Sequence, residues 1–272
     1  MPSRPISLAA LTVLELAPPE MVTCAFDAGY SHVGIRLLPA TPTEPQWDIV
    51  GDTPLLRELE RRLADTGIKV LDAEIFRLRP DTRAADYEAA IATAARLGAR
   101  ELLVAGNDPD EARLADSFAA LCELAAGYGL GAGLEFMPWT DARDLQQAAR
   151  IAQRSGRADA GVLVDPFHLS RSGSRIADLA AVAPGRLRMM QFCDVPAALP
   201  PTMAAILAEA RGERLFPGEG GLDLVALLRA MPAGIPLSLE VPTLALARTV
   251  GATERARRAL AATRRVLAQA GE

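Results

Sequence analysis

The feature that most limits what this chain can become is the strict alternation of short apolar runs with amphipathic helical stretches. Eight β-like runs and eight helical segments follow one another with no break in composition. The early runs are 6–14 with its exit, 32–38 (HVGIRLL), 69–76 (KVLDAEIF) and 101–106 (ELLVAG), and the later four read GAGLEF, GVLVDPFH, RMMQFCD and IPLSLEVP. The helices between them carry their own signals. Pro18 and Pro19 open the first, Thr53 caps the second, Leu55, Leu56, Leu59 and Leu63 fall on one face of it, and Gly67 ends it. Strands that alternate with helices predict a parallel sheet, and eight such units predict closure into an α/β fold of the TIM-barrel type, a single (β/α)8 barrel. An open doubly wound sheet is the rival, and no glycine-rich phosphate turn follows the first strand to support it.

Length agrees with one domain over residues 1–272, since a barrel of this kind needs about 250 residues. The formal net charge is −5 and the Lys and Arg residues are scattered, which speaks against a nucleic-acid partner. No apolar run approaches the ~20 residues of a membrane span, so no membrane partner is expected. The N-terminal stretch MPSRPISLAALTVLEL has one basic residue and runs into a strand pattern, unlike a signal peptide. Three cysteines, Cys24, Cys122 and Cys193, predict a reduced, cytoplasmic protein.

The last four runs each stop at a side chain able to hold a metal: Glu135, Asp165, Gln191 and Glu240. In a parallel barrel these positions share the C-terminal mouth, where such folds place their chemistry. Two Glu, one Asp and one amide oxygen form a hard donor set with formal charge −3, suited to Mn²⁺ or Mg²⁺ rather than Zn²⁺. An ion there could take two adjacent substrate oxygens, a ketone and its neighbouring hydroxyl, and stabilise the enediolate left when a carbon-bound proton is removed. A nearby carboxylate or His168, one turn after Asp165, would be the base. Two longer insertions, 39–51 with Trp47 and 196–217, are placed over the mouth, the first of them as a lid.

With these residues in place the chain resembles the sugar isomerase/epimerase superfamily with the xylose isomerase-like TIM barrel. That superfamily includes ketose 3-epimerases, inosose dehydratases and isomerases, and 3-dehydroshikimate dehydratases. The resemblance implies that its Glu-Asp-His-Glu metal tetrad falls on Glu135, Asp165, Gln191 and Glu240. Its Asp-x-x-His falls on Asp165 and His168, its His-x-x-Asp on Gln191 and Asp194, and its Arg-x-x-Pro-Gly loop on 214–223, with Arg214 as a substrate-binding arginine. Gln at the third ligand is similar to bacterial 3-dehydroshikimate dehydratases. By the same resemblance Glu135 and Glu240 would exchange protons on opposite substrate faces in an epimerase, whereas His168 would carry proton transfer in a dehydratase.

Arg36, Arg77, Arg79 and Arg214 sit at or after strand ends, and two or more of them pointing inward would favour an anionic substrate. Glu74 and Asn107, also at strand ends, are candidates for binding substrate hydroxyls, with Asp194 joining them. Trp139 and Phe167 are expected to form an apolar wall. The leading expectation is a metal-dependent isomerase or epimerase of a small ketose, polyol or hydroxy-ketone, and the alternative is a lyase of the dehydroshikimate or inosose dehydratase type. The partner is then a small sugar or keto-polyol, with a homo-oligomer as a further expectation. A His-rich trinuclear zinc nuclease is a poor match to a chain with two histidines.

Overall fold

Eight parallel strands close on one another in chain order. The computed structural model describes residues 4–272, so residues 1–3 of the N-terminal stretch lie outside it. The strands are β1 (Ile6–Leu8), β2 (His32–Arg36), β3 (Lys69–Leu78), β4 (Glu101–Gly106), β5 (Gly131–Glu135), β6 (Ala160–Val164), β7 (Leu187–Phe192) and β8 (Leu237–Leu239). β8 pairs back onto β1, which completes a closed barrel. Closure leaves no sheet edge, and every strand is then buried on both sides.

Alternate residues along each strand serve two different cores. Leu8, Val33, Val104, Leu134, Val162 and Met190 face outward into a large core shared with the helices. A smaller apolar cluster, including Leu71, Leu103, Leu163 and Met189, fills part of the barrel interior. The rest of the interior is polar. Glu101 on β4 pairs with Arg188 on β7 at 2.6 Å. Gly131 and Gly161 make room for this pair, because a Cβ at either would stand 2.3 Å from an Arg188 atom.

Helix starts follow local chemistry. Thr53 accepts a hydrogen bond from Leu56 N at 3.0 Å with Pro54 at the first helical position, and Gly67 ends that helix with φ 71°. Asp110, Asp144, Thr202 and Asp223 cap their helices in the same way. The first strand ends at Leu8, and its exit, Ala10–Val13, turns into a 3₁₀ helix. The segment before β7 is also a 3₁₀ helix, Ile176–Ala181, followed by Pro184, which disfavours helical geometry at the residue before it. The α-helix before β4 is Glu88–Arg96, preceded by a 3₁₀ turn. No described helix is long and apolar enough to cross a membrane, and the three cysteines are free and buried.

Candidate metal centre and active site

Asp165 follows β6 directly and caps the helix Pro166–Arg171, its Oδ1 accepting from Phe167 N at 2.7 Å. Pro166 favours a helix start at that point, and one turn later the helix delivers His168. The His168 Nε2 lies 3.5 Å from Glu135 Oε1 and 3.8 Å from Asp165 Oδ2. One donor atom from each of Glu135, Asp165 and His168 falls within 4.8 Å of the others, and all three residues are buried. Trp139 and Phe167 pack edge-on against the imidazole at 5.0 and 5.1 Å; of this expected apolar wall, Trp139 lines the cavity and the fully buried Phe167 does not.

Arg214 binds the other half of the site together. Its Nη1 donates to Asp165 Oδ2 at 2.7 Å, and its Nη2 lies 3.0 Å from Glu240 Oε2. Nε donates to the Ala210 carbonyl at 3.0 Å, and the guanidinium stands 4.8 Å over the Phe167 ring. Gln191 donates from Nε2 to the remaining Glu240 oxygen at 3.0 Å. Both Glu240 oxygens are therefore occupied, while Glu135 makes no hydrogen bond shorter than its approach to His168.

The donor atoms of Glu135, Asp165 and His168 lie close enough together to hold a divalent cation, and Glu240 stands outside that group. Gln191 turns its amide nitrogen to Glu240, which leaves Oε1 buried without a hydrogen-bond partner. A buried carbonyl oxygen in that state is costly unless something positive meets it. The histidine joins the cluster as a possible nitrogen ligand, a role that strand-end reasoning did not assign to it.

Electrostatics separate the acids by role. Burial, then the nearby Glu240 and Asp165, push the Glu135 carboxyl well above the usual range. Burial raises Glu240 to about 7 even against Arg214. Burial also opposes charge on Asp165, but Arg214 outweighs it and holds that carboxyl below the ordinary range. His168 is pushed down to about 3 by burial, reinforced by Arg214 and opposed by Asp165. A neutral imidazole of that kind is a weak base, and the Glu135 carboxyl, whose charged form burial disfavours, is a weaker acid than an ordinary glutamate.

A small cavity of about 60 Å³ opens above these groups, lined by Glu135, His168, Glu240 and the arginines Arg36, Arg77, Arg211 and Arg214. The arginines are not equivalent. Arg36 is held by Glu44 at 3.0 Å and Glu74 at 3.2 Å, and Arg214 is spent on Asp165 and Glu240. Arg77 is half-buried and, among the described residues, has only the Asn107 Oδ1 amide oxygen, at 3.1 Å, as a side-chain partner. Arg211 lines the same cavity with no ion pair among the described residues, a position sequence reasoning passed over because it lies inside the helix Met203–Gly212. Of the other proposed contacts, Glu74 lies beneath Arg36, and Asn107 supports Arg77. Asp194 is fully buried and accepts from the backbone amides of Val195, Gly218, Gly220 and Leu222 at 2.8–3.1 Å, which fastens the loop carrying Arg214. These three serve residues around the cavity rather than lining it. Of the expected lid, Glu44 reaches the cavity, while Trp47 packs beside Ala10, Val13 and Met21.

Glu240 is set by a distant hydroxyl. Thr12 Oγ1 donates to Leu239 O at 2.7 Å and accepts from Val241 N at 2.8 Å, clamping the backbone on both sides of Glu240. Thr12→Val leaves both groups unpartnered and is expected to cost about 1–3 kcal/mol in urea unfolding; an unchanged midpoint would remove Thr12 from this role.

The model of the xylose isomerase-like TIM barrel family matches residues 24–266. The chain belongs to that family. Within it, the chain is 33% identical over 205 residues to a 3-dehydroshikimate dehydratase of Pseudomonas aeruginosa, covering 68% of this chain and 31% of that protein. It is 30% identical over 118 residues to an inosose isomerase of Bacillus subtilis, covering 43% of this chain and 40% of that one. The matched stretches thus span well under two thirds of these relatives' lengths. Among solved structures, the IolI protein with a bound zinc atom superposes with a TM-score of 0.79 at 20% identity, covering 97% of this chain and 98% of the other, a likeness of fold. This xylose isomerase-like barrel therefore stands among relatives that include inosose isomerases and a 3-dehydroshikimate dehydratase.

Proposed function

We propose that this barrel is a divalent-metal-dependent lyase that removes water from a small hydroxy-ketone bearing a carboxylate. The observation that carries the reading is Arg77, a half-buried guanidinium in the cavity wall with an amide as its side-chain partner. A partly desolvated cation without a carboxylate is suited to a bidentate anionic group on the substrate, and the unpaired Arg211 adds to the same field. The dehydratase relative and the Gln in place of the third-ligand His support the same reading.

Glu135, Asp165, Gln191 and Glu240 would hold the ion, Mn²⁺ or Mg²⁺ on the chemistry of their oxygens, with His168 as a possible further ligand. When bound, the ion supplies a Lewis acid at the substrate carbonyl. Glu135, with no strong partner and a raised pKa, takes the proton beside the carbonyl. That proton leaves with the departing hydroxyl as water, and neutral His168 at 3.5 Å orients the carboxyl through the transfer. Arg214 keeps Asp165 charged and Glu240 in place. Trp139 and Phe167 keep water from the apolar side of the site.

A second reading, isomerisation or epimerisation of a neutral ketose or inosose, draws on one observation. Glu135 and Glu240 both line the cavity and both have raised pKa values, as a two-base exchange requires. The deciding experiment strips the protein with chelator, restores Mn²⁺ or Mg²⁺, and screens 3-dehydroshikimate, inososes and D-allulose in deuterated solvent. Loss of water with an absorbing unsaturated product, from the carboxylated substrate and only with metal, is the expected result. Turnover confined to the neutral sugars would replace the lyase with the second reading. In the lyase, Arg77→Met is expected to raise KM for the anionic substrate about tenfold with kcat within about threefold; an unchanged KM would place the carboxylate elsewhere.

A further inference from the structure

Beneath the mouth, the barrel interior holds a line of polar atoms that the chemistry above does not use. The lateral register pairs Gln191 on β7 with Ser238 on β8, Ser238 with Ser7 on β1, and Ser7 with His32 on β2. Laterally paired residues of a parallel sheet point to the same face. Their strand neighbours Met190, Leu237, Leu239, Leu8 and Val33 all belong to the outer core, so these four residues face inward. Each carries a buried polar atom with no protein hydrogen-bond partner: Gln191 Oε1, Ser238 Oγ, Ser7 Oγ and His32 Nε2. A fifth such atom is Asp72 Oδ1. Gly34, two residues beyond His32 on the same face, leaves the space for it, because a Cβ there would stand 2.7 Å from that oxygen. Five orphaned polar atoms in one region of an otherwise well-paired interior call for a shared partner, since an isolated buried hydroxyl or carboxyl costs about 1–3 kcal/mol.

We infer that the barrel encloses a file of bound waters along Gln191, Ser238 and Ser7, flanked by Asp72, and that Ser238 and Ser7 are positioning residues that hold the Gln191 amide through it. Water is the ligand that suits these groups. The two hydroxyls donate and accept, the amide oxygen accepts, and so does the orphaned Asp72 Oδ1, on a carboxyl that burial and then Glu74, Glu240 and Glu101 push above the ordinary range. The consequence for the site is orientation. The Gln191 side chain has one direct anchor, its Nε2 bond to Glu240, and the file provides the second, on the Oε1 lone pair that an ion held by that oxygen would leave free. Partners of this kind behind a metal ligand typically change metal affinity 10–100-fold.

The positioning role rests on the metal reading proposed above, and the test separates the two. Oxygen-17 magnetic relaxation dispersion counts long-lived buried waters in the wild type, Ser238→Ala, Ser7→Ala/Ser238→Ala and Ser238→Thr, and calorimetry follows Mn²⁺ binding to the same chelator-stripped proteins. The expected result is loss of at least one long-lived water in the alanine variants, Mn²⁺ binding about tenfold weaker with little change in melting temperature, and recovery of both in Ser238→Thr. Dispersion that is identical in wild type and alanine variants would overturn the water file. Waters lost at unchanged Mn²⁺ affinity would overturn the positioning role. Absence of Mn²⁺ binding in the wild type would instead sink the metal reading and the positioning role with it, while the dispersion still decides whether the file exists.

Discussion

Arg214→Met is expected to cost about 3–5 kcal/mol of stability, because it strands two buried carboxylates that share one guanidinium. Asp165 is fully buried and Glu240 is 4% exposed, so solvent cannot replace the lost partner. Arg214 also donates to the Ala210 carbonyl and lies over Phe167, so the loop before β8 loses its anchor in the same step. For a chain of this length that loss corresponds to a fall in melting temperature of roughly 5–9 °C. The measurement belongs in chelator, so that no added cation compensates the carboxylates. Combining Arg214→Met with Asp165→Asn removes one stranded charge and should recover part of the loss. A single variant melting within about 2 °C of wild type would mean that the Asp165–Arg214–Glu240 chain contributes little, and the account of how Glu240 is held would fail.

Glu135→Gln addresses chemistry rather than stability. The amide keeps the shape of the carboxyl and cannot accept the substrate proton, so turnover is expected to fall about 10²–10⁴-fold. Solvent deuterium exchange into the substrate should fall in parallel, since both measure the same proton removal. Stability should hold within about 1 kcal/mol, because this position is buried, has no short hydrogen bond to lose, and penalises the charged form. Exchange retained near the wild-type rate would transfer the base to Glu240, whose carboxyl sits near 7, and with it the balance would move toward the isomerase reading.

How far the sequence could be read depended on the range of the interaction involved. Glu135, Asp165, Gln191 and Glu240 were legible because each ends a short apolar run, and parallel strands must deliver such ends to one mouth. His168 was legible as a neighbour of Asp165, since one helical turn fixes that spacing, but its approach to Glu135 on another strand was not. Glu74, Asn107 and Asp194 looked like substrate contacts from their strand-end positions. Packing gave Glu74 to Arg36, Asn107 to Arg77, and Asp194 to three backbone amides of a loop more than twenty residues on. Arg211 was hidden because helical periodicity reports the face of a helix and says nothing about which cavity that face overlooks.

The order of strands and helices, the helix caps, the inward and outward alternation and the four acid or amide strand ends were determined by the amino-acid sequence alone, since each depends on neighbours within a turn or two of chain. Only closure of the barrel decided the partners. Arg214 reaches Asp165 across 49 residues, and Ser7 meets Ser238 because β8 returns to β1. Lateral register around a closed sheet is a property of all eight strands at once, and no local pattern encodes which buried charge will be neutralised, which arginine left free, or which hydroxyls brought into line beneath the site.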